Sequence, residues 1–251
     1  MPIWELRPVT EDILEIERLT AGYVRGLPIL KDVSLKLARE SVTVIIGPNG
    51  AGKSTLIKAI AGIVRVTSGT IMLRGKDISG ILPHEMAKHS IAYVPQSDNV
   101  FRTLSIIKNL ELVLKNSRES TSQRIEELFS QFPIIREKQK EKAGSLSGGQ
   151  RQILAVAMAL CNRPEIILMD EPSAGLSPKA AQGVLEFARA LTREGVSILL
   201  VEQNVNQALR LSDYCYILAE GKNQLDGMAS ELLEDPIVGQ IYLGGKRVVE
   251  T

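Results

Sequence analysis

From the end of Val42 to Ile46, a short apolar run rich in β-branched residues, into Lys53 to Ala61, whose apolar residues recur at helical spacing, run eight residues that constrain this chain more than any others: Gly47, Pro48, Asn49, Gly50, Ala51, Gly52, Lys53 and Ser54. They satisfy GxxxxGK[ST] in a strand, loop, helix context, where the pattern has a mechanism. Glycines let successive backbone N–H groups turn inward around phosphate, and the following helix brings its positive N-terminal end to the same point. Lys53 then reaches the β- and γ-phosphates, Ser54 offers its hydroxyl to Mg²⁺, and Thr55 adds a phosphate contact. A merely flexible glycine turn would not need Lys and Ser in register.

The second constraint is Ile166 to Met169, an apolar strand ending in Asp170 and Glu171. Ligands of open α/β sheets bind at the carboxyl ends of strands, so both acids are expected to face the phosphate loop. Asp170 is expected to hold Mg²⁺ through water, and Glu171 to orient the attacking water or take its proton. An acidic helix start is the plainer alternative for the pair, and is weak beside a phosphate loop.

The rest of the chain supplies the frame. Alternation from Leu14 to Leu37, split by the turn-rich Ala21 to Pro28, predicts antiparallel strands. Further strands are expected at Thr70 to Leu73 and Ile91 to Val94, and amphipathic helices at Leu104 to Asn116 and Thr121 to Phe132. From Gln150 onward the rhythm is helix 150–161, strand 166–170, helix 178–194, strand 197–201, helix 204–211 and strand 214–218, that of a parallel sheet with crossover helices. The mixed-sign run Arg136 to Lys142 reads as a solvated loop or helix end.

Charge and apolar content narrow the setting. A formal net charge of +1 gives no global pull toward nucleic acid or anionic lipid. A membrane helix needs roughly 18–20 continuous apolar residues, far more than any run here. Met1 to Asp12 lacks the basic flank and apolar stretch of a signal peptide. Cys161 and Cys215, the 2 cysteines, sit in apolar contexts without CxxC spacing, so buried reduced thiols in a cytosolic protein are expected.

Kinases, GTPases and RecA-like motors all remain open until Leu146, Ser147, Gly148, Gly149 and Gln150 are considered. This stretch precedes a helix with Ile153, Leu154, Ala157 and Met158 on one face, and makes a second exposed helix start rich in donors. A plain Ser-Gly helix cap is the reading of that stretch alone. Because the chain's own nucleotide already has the first loop, the second is assigned to a γ-phosphate held by a neighbouring subunit.

In order with the two earlier motifs, this stretch marks a resemblance to the ABC ATPase family from about Leu14 to Gly245. The resemblance implies an α/β P-loop NTPase fold with a RecA-like core, an antiparallel β subdomain and a helical subdomain at about 97–162. It implies one domain over 13–245, with tails at 1–12 and 246–251. Tyr23 matches the residue that stacks on adenine, and Gln96 the loop glutamine that touches Mg²⁺. Ser97 to Leu110 resembles the surface that receives a membrane permease.

Two positions depart from the family pattern: Gln203 stands where relatives carry a switch histidine, and Ser177 where many carry an aspartate. Gln203 donates a hydrogen bond to phosphate but carries no charge. The 2 histidines, His84 and His89, lie upstream of Gln96 and read as surface residues. With Tyr242 to Gly245, the departures resemble the smaller ATPases of branched-chain amino acid importers. That branch implies ATP and Mg²⁺ as ligands, a second ATPase as partner (a heterodimer, with a homodimer as the alternative) and membrane permease subunits. The same branch implies a solute-binding protein acting indirectly, no part for nucleic acid, and a peripheral place on the cytoplasmic face of the membrane. Carriers of amides or urea, and a soluble ABC ATPase acting on ribosomes or nucleic acid, are the competing readings. One cassette without a heptad arm disfavours the soluble reading, and a P-loop kinase does not explain Leu146 to Gln150.

Overall fold

The computed structural model describes residues 11–115, 120–236 and 238. Its first half carries strands β1 (Asp12–Gly22), β2 (Leu30–Ala38) and β3 (Val42–Ile46), helix α1 (Lys53–Ile60), then β4 (Arg65–Leu73), β5 (Lys76–Asp77) and β6 (Ile91–Val94). Four helices follow, α2 (Ile106–Leu114), α3 (Thr121–Gln131), α4 (Pro133–Glu137) and α5 (Gly148–Leu160). The chain then alternates through β7 (Ile166–Asp170), α6 (Pro178–Leu191), β8 (Ser197–Val201), α7 (Val205–Leu211), β9 (Tyr214–Ala219), β10 (Lys222–Met228) and α8 (Ala229–Glu234).

The alternating segments and the continuously apolar ones fold into different sheets. β1 pairs antiparallel with β2 (Leu14 opposite Leu37, Ile16 opposite Leu35) and with β4 (Ile16 opposite Ile71), giving the order β2-β1-β4-β5. Strands β3, β7 and β8 are buried at every position, as strands covered on both faces must be. They lie in a sheet ordered β10-β9-β3-β8-β7-β6, in which every pairing from β9 to β6 is parallel.

The period of two along these strands divides the interior. Val44, Ile167, Met169, Ile198 and Leu200 pack with apolar residues of α2 to α6. Their neighbours Ile45, Leu168, Leu199 and Val201 pack with α1 and the antiparallel sheet. The result is the α/β, RecA-like arrangement expected, with a parallel sheet between two apolar layers. Because β3, β6, β7 and β8 run parallel, their carboxyl ends share one edge, and the loops leaving that edge meet.

Several boundaries move. The first strand begins at Asp12, inside the segment read as a tail. Helix α2 starts at Ile106 rather than Leu104 because Ser105 caps it, accepting the Lys108 amide at 3.4 Å; Asn116 lies outside the described residues. Helix α5 starts at Gly148, two residues before the expected Gln150. Its buried face is wider than four residues: Ala155 and Val156 are buried, while Ile153 and Met158 are half-buried. Helix α6 passes into a 3-10 turn, Thr192–Glu194, closed by Gly195 at φ 87°.

The β9–β10 hairpin was not expected, since β10 is a largely polar edge strand. Its turn signal was present: Glu220 and Gly221 take φ of 53° and 76°, the handedness two-residue hairpins require. Cys161 and Cys215 are buried free thiols, and burial pushes the Cys161 thiol up to about 12, so both stay protonated. His84 is exposed and His89 half-buried, both on the 3-10 turn Pro83–His89. No helix among the described residues is long and apolar enough to cross a membrane.

Candidate functional site

The phosphate loop leaves β3 under tight constraint. Gly47 sits at φ 147°, where a Cβ would lie 2.0 Å from the Leu218 carbonyl oxygen, so no side chain fits. Gly52 caps α1 in the left-handed region, at φ 100°, and the first turn of that helix carries no acidic residue. The helix start therefore presents bare N–H groups to an anion. Lys53 is 5% exposed and its ammonium donates to the carbonyls of Gly47 (2.9 Å) and Pro48 (3.1 Å), holding it across the loop. Burial pushes its pKa down, against the opposing charges of Glu171 and Asp170. Asn49 to Thr55, with Ile29 and Glu171, line a cavity of about 280 Å³.

The neighbouring strands deliver the remaining polar groups to the same edge. Ser54 donates to Asp170 Oδ1 at 2.9 Å. Asp170 is buried, and burial raises its carboxyl pKa while the Ser54 hydroxyl and Lys58 act against that. A buried carboxylate facing a hydroxyl is a pair of hard oxygen donors that fits Mg²⁺. Among the described residues no group of three or more His, Cys, Asp or Glu could hold a metal, so an ion here would complete its shell with phosphate and water.

Glu171 is where the loops converge. Gln96, leaving β6, donates its amide to Glu171 Oε2 at 2.7 Å, and Gln203, leaving β8, donates to the same oxygen at 2.6 Å. Glu171 itself has φ 47°, in the left-handed region that a residue with a side chain rarely enters. Its own N–H donates to the Val201 carbonyl at 2.9 Å, tying β7 to β8 there. A carboxylate held this way at the mouth of an anion cradle can accept a proton from a water on the phosphate side.

The signature stretch stands apart. Ser147 accepts the Gln150 amide at 3.3 Å while Gln150 accepts the Ser147 amide at 3.1 Å, a reciprocal cap that sets the start of α5. That leaves Gly148 and Gly149 in the first turn, half-buried beside Leu176 and Ala180. The cavity lined by Ser147, Gly149 and Gln150 shares no lining residue with that of the phosphate loop. Tyr23 is 58% exposed on the turn after β1. Ser177 caps α6, accepting the Ala180 amide at 3.4 Å. Tyr242 to Gly245 lie outside the described residues.

Three groups at this edge were not singled out from the sequence. Tyr93 donates to Asp170 Oδ2 at 3.5 Å, and its phenol pKa is pushed up, chiefly by burial. Asn99 donates to Gln152 at 2.7 Å, joining the segment after Gln96 to helix α5. Glu202 is 1% exposed and accepts hydrogen bonds from Ser173 and Gln203. For Glu202 the signal was available: an acid directly after a wholly apolar strand, the same pattern that drew attention to Asp170.

Known proteins place this edge in context. A family model described as ABC transporter matches residues 30–174. The chain is 42% identical to the probable branched-chain amino acid transport ATP-binding protein LivF of Archaeoglobus fulgidus, across 92% of this chain and 99% of that one. It is 35% identical to the lipopolysaccharide export system ATP-binding protein LptB of Acidithiobacillus ferridurans, across 93% and 97%. Among solved structures it is similar to the ADP conformation of MJ1267, an ATP-binding cassette of an ABC transporter, with TM-score 0.82, 29% identity, and 94% and 100% of the two chains covered. With relatives this similar from end to end, and a phosphate cradle fed by four parallel strands, the chain belongs to the ABC transporter family as an ATP-hydrolysing subunit.

Proposed function

We propose that this subunit powers an importer of branched-chain or related amino acids, bound to permease subunits at the cytoplasmic face of the membrane. The observation that carries the catalytic part is the convergence of Gln96 and Gln203 on one oxygen of Glu171, beside the Ser54–Asp170 pair. The likeness to LivF, and at 36% identity to the high-affinity branched-chain amino acid transport ATP-binding protein BraG of Pseudomonas aeruginosa, supports the cargo.

In this reading Gly47 to Gly52 surround the phosphates with backbone N–H groups, Lys53 turns from its own loop toward the β- and γ-phosphates, and Thr55 adds a contact. Tyr23 stacks on adenine. Ser54, Asp170 and Gln96 hold Mg²⁺, which when bound neutralises phosphate charge. Glu171 takes the proton of the attacking water, its free oxygen unburdened by the two glutamines, and Gln203 keeps that carboxylate in place while offering an uncharged donor to the γ-phosphate.

The cradle cavity of about 280 Å³ is at the lower bound for a small-molecule site, which fits a pocket needing a second wall. Ser147, Gly148, Gly149 and Gln150 of a second ATPase supply it. Since Gln203 replaces the family's histidine, that partner is a different chain carrying the histidine. Residues of about 97–162 form a lobe that turns with the permease docked at Ser97 to Leu110, and a solute-binding protein delivers cargo to the permease.

The test compares cells carrying wild type or Glu171→Gln for uptake of labelled leucine, with other amino acids, amides and urea in parallel. Removing a general base commonly costs ~10²–10⁴ in rate, so uptake of the cargo should nearly vanish. Loss limited to leucine, isoleucine and valine supports the reading. Unchanged uptake of every compound, with ATP hydrolysis by the purified variant abolished, removes the importer reading and brings forward an export role of the kind named for LptB.

A further inference from the structure

Among the described residues Glu202 has no ion-pair partner, yet at 1% exposure it is more deeply buried than Asp170 or Glu171. A carboxylate taken out of water without a cation is destabilising unless its oxygens are well satisfied. Here they are satisfied by groups on two different loops. Oε1 accepts the Ser173 amide at 3.1 Å, and Oε2 accepts the Ser173 hydroxyl at 2.7 Å and the Gln203 amide at 3.2 Å.

These contacts close a ring. Ser173 lies two residues beyond Glu171, with Pro172 between them restricting the backbone. Gln203 follows Glu202 directly and its side chain donates to Glu171 Oε2 at 2.6 Å. Glu202 therefore grips two of the loops that set the Glu171 carboxylate, that of Glu171 itself and the one carrying Gln203, without itself lining the phosphate cradle. Glu171 meanwhile sits at φ 47°, a conformation that persists only when its surroundings over-determine it.

We infer that Glu202 is a positioning residue for hydrolysis, holding Glu171 in its left-handed backbone and the Gln203 amide on its carboxylate. The inference rests on the reading of Glu171 as the base. It requires a carboxylate specifically. The two backbone amides face different oxygens, so a glutamine at 202 must turn its NH₂ against one N–H or the other, whereas the Ser173 hydroxyl can reverse its role.

The test measures Kd for ATP and Tm on the purified full-length chain, and kcat for ATP hydrolysis on that chain assembled with the second ATPase, in parallel for wild type, Glu202→Gln, Glu202→Asp, Ser173→Ala and Glu171→Gln. Misplacing a reacting group by about 1 Å costs up to ~10²-fold, so Glu202→Gln should lower kcat by about tenfold or more with Kd within about twofold. Glu202→Asp, which keeps both oxygens, should recover part of the loss. If Glu202→Gln does not fold, Ser173→Ala decides: a fall in kcat at unchanged Kd supports the ring, and wild-type kcat overturns it. Lower Tm with wild-type kcat in Glu202→Gln likewise overturns it, leaving Glu202 a structural acid. Should Glu171→Gln hydrolyse ATP normally, the assignment of the base itself is what fails.

Discussion

The phosphate-loop edge of the sheet and the start of helix α5 are both donor-rich, glycine-rich helix entrances, yet they are built in opposite ways. At the sheet edge Lys53 bonds within its own loop, but the other side chains are tied to residues far away in sequence: Ser54 to Asp170, Gln96 and Gln203 to Glu171, Ser173 to Glu202. At α5 the bonds are local, Ser147 with Gln150 and Arg151 with the Leu146 carbonyl. One entrance is a cluster of polar side chains assembled by the fold; the other is a self-contained set of donors that any orientation of the helix would carry along. A part built this second way can move as a unit without losing its form, which suits a wall supplied to another subunit's nucleotide.

The contrast can be broken most severely at Gly47. Gly47→Ala places a methyl 2.0 Å from the Leu218 carbonyl oxygen, and backbone must shift to relieve it. We expect a loss of about 3 kcal/mol of stability, read by thermal or denaturant unfolding, together with loss of ATP binding. Wild-type binding would mean that the cradle is as self-contained as the α5 entrance.

A smaller effect is expected beneath α5. Arg124 on α3 is buried and donates to the Leu160 (2.6 Å) and Cys161 (3.2 Å) carbonyls at the end of α5, with Glu127 at 2.7 Å completing its bonds. Cations are favoured at helix C-termini, and Arg124→Ala leaves the two carbonyls without this donor, while Glu127 keeps Arg163 at 2.7 Å. About 1.5–3 kcal/mol should be lost in denaturant unfolding. Because the α5 entrance keeps its own cap, ATP affinity of the isolated chain should stay at the wild-type level; a fall in affinity would tie the two regions together.

The mildest change is Ser147→Ala, which removes the reciprocal cap and should cost about 1 kcal/mol. ATP affinity of the single chain is expected to be unaltered and hydrolysis in the assembled dimer reduced, as measured by nucleotide titration and steady-state turnover. Equal losses in both would show that Ser147 serves its own subunit's nucleotide.

Local pattern explains which parts were legible in advance. The strands Ile91–Val94, Ile166–Asp170 and Ser197–Val201 were read to the residue because strands buried on both faces are continuously apolar. The hairpin strand β10 was missed because an edge strand open to water has no such run, leaving only Glu220-Gly221 to mark the turn. Helix α5 was placed two residues late because glycine lowers helix propensity, while the cap geometry of Ser147 outweighs it.

By itself, the sequence determined the phosphate loop, the paired acids and the self-capped helix start, because each is a short motif whose chemistry resides in consecutive residues. It also carried the fold class, through the alternation of buried strands with amphipathic helices. Only the tertiary structure decided that Gln96 and Gln203 share one oxygen of Glu171 and that Glu202 braces Ser173. These partners lie 75, 32 and 29 residues apart in the chain, and their contacts exist only because parallel pairing brings four strand ends to one edge.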